Sequence, residues 1–150
     1  MTTFTRPTSC VSRSLVPILL LPLLAAAAVA ADDADWPNWR GPAANGSRAT
    51  GKYPVRWDAT NVLWKVSLPG KGGSTPVVHR QRIYLTGPAE GQDAVLAFDF
   101  SGRQLWQTKL GAESKPKHQT LGSAANASPV TDGQGLFVYF RSGNFAALEF

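Results

Sequence analysis

Parts of this chain occur twice. Ser74–Thr86 reads STPVVHRQRIYLT and Ala127–Phe140 reads ASPVTDGQGLFVYF, so that Pro76 falls on Pro129 and Tyr84 on Phe137. Further along, VLAFDF (Val95–Phe100) falls on FAALEF (Phe145–Phe150), with Asp99 over Glu149. The Leu-Trp pair at Leu63–Trp64 returns at Leu105–Trp106. A repeat of about 40 residues marks a chain built by stacking one supersecondary unit on itself. That constraint narrows the fold before composition is considered.

The unit is made of strands. Beyond Ala30 no segment has helical periodicity, and short apolar runs alternate with Gly, Pro, Ser and Asn clusters. Asn61–Leu68 (NVLWKVSL) and Arg103–Leu110 (RQLWQTKL) each put a Trp on one face of an alternating strand, Trp64 and Trp106. Leu136–Phe140 (LFVYF) is continuously apolar, as expected of a strand covered on both faces. Four short strands in about 40 residues is a propeller blade. The expectation is an all-β fold of four-stranded antiparallel blades of a β-propeller, with about two blades in residues 61–150. Gly102 supplies the turn into the Trp strand, and Asp99 a turn carboxylate. The sequence stops just after the third strand of its second unit. The reading is therefore the N-terminal part of a longer frame, in which Asn61–Leu68 forms the outer strand of the last blade.

The first 30 residues belong to something else. Arg6 and Arg13 precede the apolar run Leu15–Ala30, which ends Ala28-Val29-Ala30. This is the layout of a secretory signal peptide, and the run is short for a transmembrane anchor. Cleavage leaves 13 basic residues against 10 acidic ones, a net +3 in place of +5. Such a balance gives no reason to expect nucleic-acid binding. The single cysteine, Cys10, leaves with the leader, which excludes disulfide and thiol chemistry from the exported part. The expected organisation is a signal peptide over 1–30, an N-terminal extension over 31–60 and propeller repeats over 61–150, with a secreted or periplasmic product.

The run Ala97–Trp106 (AFDFSGRQLW), the Ser-Pro-Val starts and the aromatic second strands resemble the PQQ-like (quinoprotein-type) propeller repeat. WPNWRGP (Trp36–Pro42) resembles the opening of exported bacterial proteins with this propeller. The turn at Phe100–Gly102 is one residue shorter than in the dehydrogenases and closer to non-catalytic members, such as the propeller subunit of the outer-membrane protein assembly machinery. The resemblance implies a non-catalytic binding or assembly scaffold of the cell envelope. One alternative it implies is a PQQ- and calcium-dependent dehydrogenase oxidising alcohols or sugars. That alternative brings a vicinal cysteine pair, a Trp under the cofactor and calcium-binding carboxylates and amides, none of which can be placed on 31–150. A second alternative is an envelope carbohydrate-binding protein that uses Trp36 and Trp39.

Candidate sites follow from strand alternation, which sends the second and fourth connections of each blade to the same side. The longest of these, Gly111–Asn126, holds Lys117, His118, Gln119 and Asn126, and Lys71 lies in another. Together they are a candidate binding face for an anionic ligand or a protein; the plainer reading is a solvated crossover. His79 and His118 each lack a second ligand at metal spacing, and His79 is expected to be exposed. GKGGST (Gly70–Thr75) fails as a phosphate loop, because Gly follows the Lys and Pro76 opens a strand. No catalytic residue is assigned. In DWPNWRGP (Asp35–Pro42), Trp36, Trp39 and Arg40 are expected to stack as a cation–π cluster in a clasp over the outer edge or one mouth of the ring. Mass spectrometry of the exported protein tests the leader: the expected N-terminus is Ala31, and retention of Cys10 would show that no cleavage occurs.

Overall fold

The computed structural model describes residues 35–118, 120 and 122–150. The expected signal peptide over 1–30 and the candidate Gln119 lie outside the described residues. Seven strands follow a single 3-10 turn at Ala59–Asn61. Strands β1 (Val77–His79), β2 (Arg82–Ala89), β3 (Gln92–Asp99) and β4 (Gln104–Ala112) form one antiparallel sheet in chain order. Strands β5 (Val130–Thr131), β6 (Leu136–Tyr139) and β7 (Phe145–Leu148) form a second, three-stranded one. Both are sheets of blade type, and the repeat read in the sequence is a repeat of register. Val77 pairs Tyr84 and Tyr84 pairs Ala97, just as Val130 pairs Phe137 and Phe137 pairs Ala147.

The alternation of side chains decides what the sheets bury. On one face of the first sheet Val77, Tyr84, Ala97 and Trp106 form a row across all four strands. Ala97 is small enough for the rings on either side of it to meet, with Tyr84 and Trp106 centroids 5.9 Å apart. Against this row pack Leu136 and Val138 of β6 and Phe140 just beyond it. Each is buried, and burial of a side chain of this size contributes roughly 1.5–3 kcal/mol. The run Leu136–Phe140 is thus covered on one face, while Tyr139 is 57% exposed on the other.

One expectation is corrected. Asn61–Leu68 is not a strand: beyond the 3-10 turn it makes no strand pairing among the described residues, and Leu63 is 91% exposed. It crosses the outer face of the first sheet, enclosing with Ile83, Leu85 and Phe98 a cleft of about 430 Å³. A side-chain anchor takes the place of ladder bonds. The Trp64 indole N–H donates to the Phe100 carbonyl at 2.8 Å, and the ring lies flat on Gly102. Gly87 and Pro88 do not break the first sheet. The ladder between β2 and β3 runs to Ala89 and Gln92, and Glu90 and Gly91 alone make the turn, at φ of 53° and 75°. Both central residues of such a hairpin turn are left-handed, which matches the twist of the strands.

Gly102 meets two demands at once. Its φ is 84°, and a Cβ there would lie 2.6 Å from the Trp64 ring. Gly46 has a similar φ of 78° with open space around it. Gly46→Ala should therefore lose only the left-handed penalty, about 1–2 kcal/mol, and Gly102→Ala clearly more. Urea unfolding of both variants checks this, and equal losses would show that Trp64 does not rest on Gly102.

Candidate functional site

The crossover from β4 to β5 is fixed at both ends. Near its start, Glu113 N donates to Gly91 O at 3.0 Å, the Asn144 amide to Ala112 O at 3.3 Å, and the Arg141 guanidinium to Lys115 O at 2.9 Å. Towards its end, Gly73 N donates to Ala125 O at 2.9 Å and the Thr86 hydroxyl to Ala127 O at 2.7 Å. Thr75 N adds a bond of 2.8 Å to the Ser128 hydroxyl. Between these anchors lies a turn in which Gly122 N donates to His118 O.

The candidate residues are distributed over this frame. Lys71 reaches the crossover through its ammonium, which donates to Thr120 O at 2.6 Å. Asn126 is exposed, but its side-chain oxygen accepts from the Ser123 hydroxyl and sits against Gly73. Lys117 and His118 are exposed on the turn. The structure thus brings Lys71 and Asn126 to one loop layer and leaves Lys117 and His118 facing solvent. The prolines that align in the sequence differ in place: Pro129 is fully buried, and Pro76 lines the open cleft.

Beneath this loop face is a buried carboxylate that sequence reasoning did not single out. Asp93 is fully buried, and its Oδ2 accepts from the Ser142 hydroxyl and from the Asn144 amide at 2.9 Å. Its Oδ1 has no hydrogen-bond partner among the described residues. The contact ties β3 of the first sheet to the turn between β6 and β7 of the second. Partners 49 and 51 residues apart leave no local pattern by which to find it. Among the described residues no three of His, Cys, Asp and Glu group as metal ligands.

On the opposite side Asp99 organises the turn before the Trp strand. Its Oδ1 accepts from Ser101 N at 2.9 Å, from the Ser101 hydroxyl and from Arg103 N, and its Oδ2 accepts from Arg103 Nε at 3.0 Å. The Ser101 hydroxyl above all, helped by Arg103, lowers its carboxyl from 3.8 to about 2.

The N-terminal clasp differs from expectation in three ways. Trp36, Trp39 and Arg40 are not one cluster: Arg40 lies over the Trp39 ring at 5.9 Å, whereas Trp36 lies over Gly41. The clasp runs along β1 and not along the outer edge, because Trp36 bridges to Val78, whose N–H and C=O point away from β2. His79 is buried and not exposed, since Asp35 covers it with Oδ2 2.8 Å from Nδ1.

A family model described as outer membrane protein assembly factor BamB, of the PQQ_2 repeat, matches residues 49–150. The chain belongs to this family. No curated protein matches it closely enough to add a more specific relative. The BamB-family match takes in both sheets, the segment over the cleft and the crossover, and leaves out Asp35–Arg48.

Asp99 gives a pH test. A carboxyl lowered in the folded chain contributes stability that is fully present above pH ~4 and is lost as pH falls towards ~2. Asp99→Asn should therefore be less stable at neutral pH and should show a shallower fall in melting temperature over that window. Parallel acid limbs for the two proteins would contradict the turn network.

Proposed function

We propose that this chain is an exported, non-catalytic propeller-repeat scaffold of the cell envelope, and that it binds a protein partner through the crossover loop. The observation that carries this is the crossover itself: pinned at both ends by backbone and side-chain bonds, it exposes Lys117 and His118 beside Lys71. A loop held on a rigid sheet scaffold is a usual place for recognition, because little order is lost when a partner docks. The positive residues suit an acidic surface, which they would attract over about a Debye length. The envelope setting rests on the family description, which names an outer-membrane assembly factor, and on the leader-like residues 1–30.

We read the scaffold as working without PQQ or calcium. Supporting this, the Asp93 carboxylate is fully buried, with Oδ2 already holding two hydrogen bonds. The sugar-binding alternative rests on Trp39, which is 66% exposed beneath Arg40.

The test is site-specific photo-crosslinking in intact envelopes. A photoreactive side chain at position 117 should give a discrete protein adduct, and one at position 103, on the opposite side, should not. Lys71→Glu together with Lys115→Glu should cut the adduct by about tenfold, as expected for losing a few rim charges. No adduct at position 117, with alcohol oxidation on adding PQQ and calcium, would replace this reading by the dehydrogenase.

A further inference from the structure

The second buried carboxylate, Asp35, lies away from the loop face. Its Oδ1 accepts from Arg80 N at 3.0 Å, and its Oδ2 meets His79 Nδ1 at 2.8 Å. Backbone bonds follow at once. Trp36 N donates to Val78 O at 2.8 Å, Val78 N to Trp36 O at 3.0 Å, and Thr131 N to Pro37 O at 2.9 Å. Val78 belongs to β1 and Thr131 to β5, the first strands of the two sheets, which lie next to one another. Trp36 and Pro37 therefore pair with the first-strand edges of both sheets, at Val78 and Thr131.

Strand lengths say which side of the sheets this is. β1 has 3 residues and β5 has 2, against 9 in β4. The sheets widen away from β1 and β5, so that the clasp sits at their narrow side, the side that faces the axis when blades stand around a channel.

We infer that Asp35–Pro37 is a releasable internal strand that plugs the axis side of the sheets, with Asp35–His79 as its latch. The inference rests on the scaffold reading and sharpens it, because a plugged axis leaves recognition to the loop face. Unpaired first-strand edges would otherwise be open to any extended peptide. The latch also supports a strained turn. Arg80 and Gln81, at φ of 50° and 59°, make a left-handed hairpin turn without glycine, and the Asp35 carboxylate gives Arg80 N its partner. On the His79 side, Nδ1 makes the one hydrogen bond to the clasp, Nε2 is buried without a partner among the described residues, and the ring packs on Phe150 at 4.6 Å. Arg48 adds a bond from its guanidinium to Asp35 O at 2.9 Å.

Hydrogen exchange on the full chain reads the plug amide by amide. In His79→Ala and in Asp35→Ala, exchange at Val78 and Thr131 should accelerate by about tenfold or more while the amides of β3 keep their protection. Unchanged exchange at Val78 and Thr131, or equal acceleration in β3, would overturn the inference. The wild-type chain gives a second test that does not depend on a variant folding. Val78 and Thr131 should exchange through a local opening nearly independent of denaturant, and β3 through one that depends on it steeply; the same dependence at both overturns the inference. None of these readouts involves residues 113–122, so that the plug and the partner-binding reading can fail separately.

Discussion

The structure depends on the face where the two sheets meet. Tyr84 and Trp106 can approach over Ala97, and the row they make with Val77 is what Leu136, Val138 and Phe140 pack upon. Apolar burial of this kind is the dominant favourable contribution in a small β assembly, where strand pairs alone are marginal. A three-stranded sheet as short as β5–β7 has little else to hold it.

The polar contacts make sense on top of that packing. Asp93 can accept from Ser142 and Asn144 only where the second sheet is already set against the first. The same holds for Thr75 with Ser128 and Thr86 with Ala127, which fix the end of the crossover. The clasp spans the seam a third time, through Val78 and Thr131. Each link is weak by itself, worth about 0.5–1.5 kcal/mol net. Their value lies in register: they hold one relative position of the sheets, and with it the shape of the loop face.

The strands and their pairing were legible because period-two alternation and the aligned Tyr84 and Phe137 are local signals. So was the turn at Asp99–Gly102, where a carboxylate and a glycine stand at fixed spacing. Asn61–Leu68 misled because alternation reports a face that can be covered, not a backbone partner; Trp64 finds its anchor on Gly102 instead. Of the candidate face, the sequence identified the crossover but not its pins, which come from Arg141, Asn144 and Thr86 in other strands and turns. The Asp35–His79 contact was missed for the same reason, since 44 residues separate the pair and nothing local marks either one.

Packing on the Tyr84–Trp106 row makes the two sheets one cooperative unit. The most direct test of this cooperativity is Leu136→Ala, with unfolding followed at β2 and β3 by hydrogen exchange. Removing a fully buried Leu side chain typically destabilises by 2–5 kcal/mol. If the sheets are one unit, the slowest amides of β2 and β3 lose as much protection as those of β6. If β2 and β3 keep theirs while β6 alone loosens, the sheets fold independently and are not one unit.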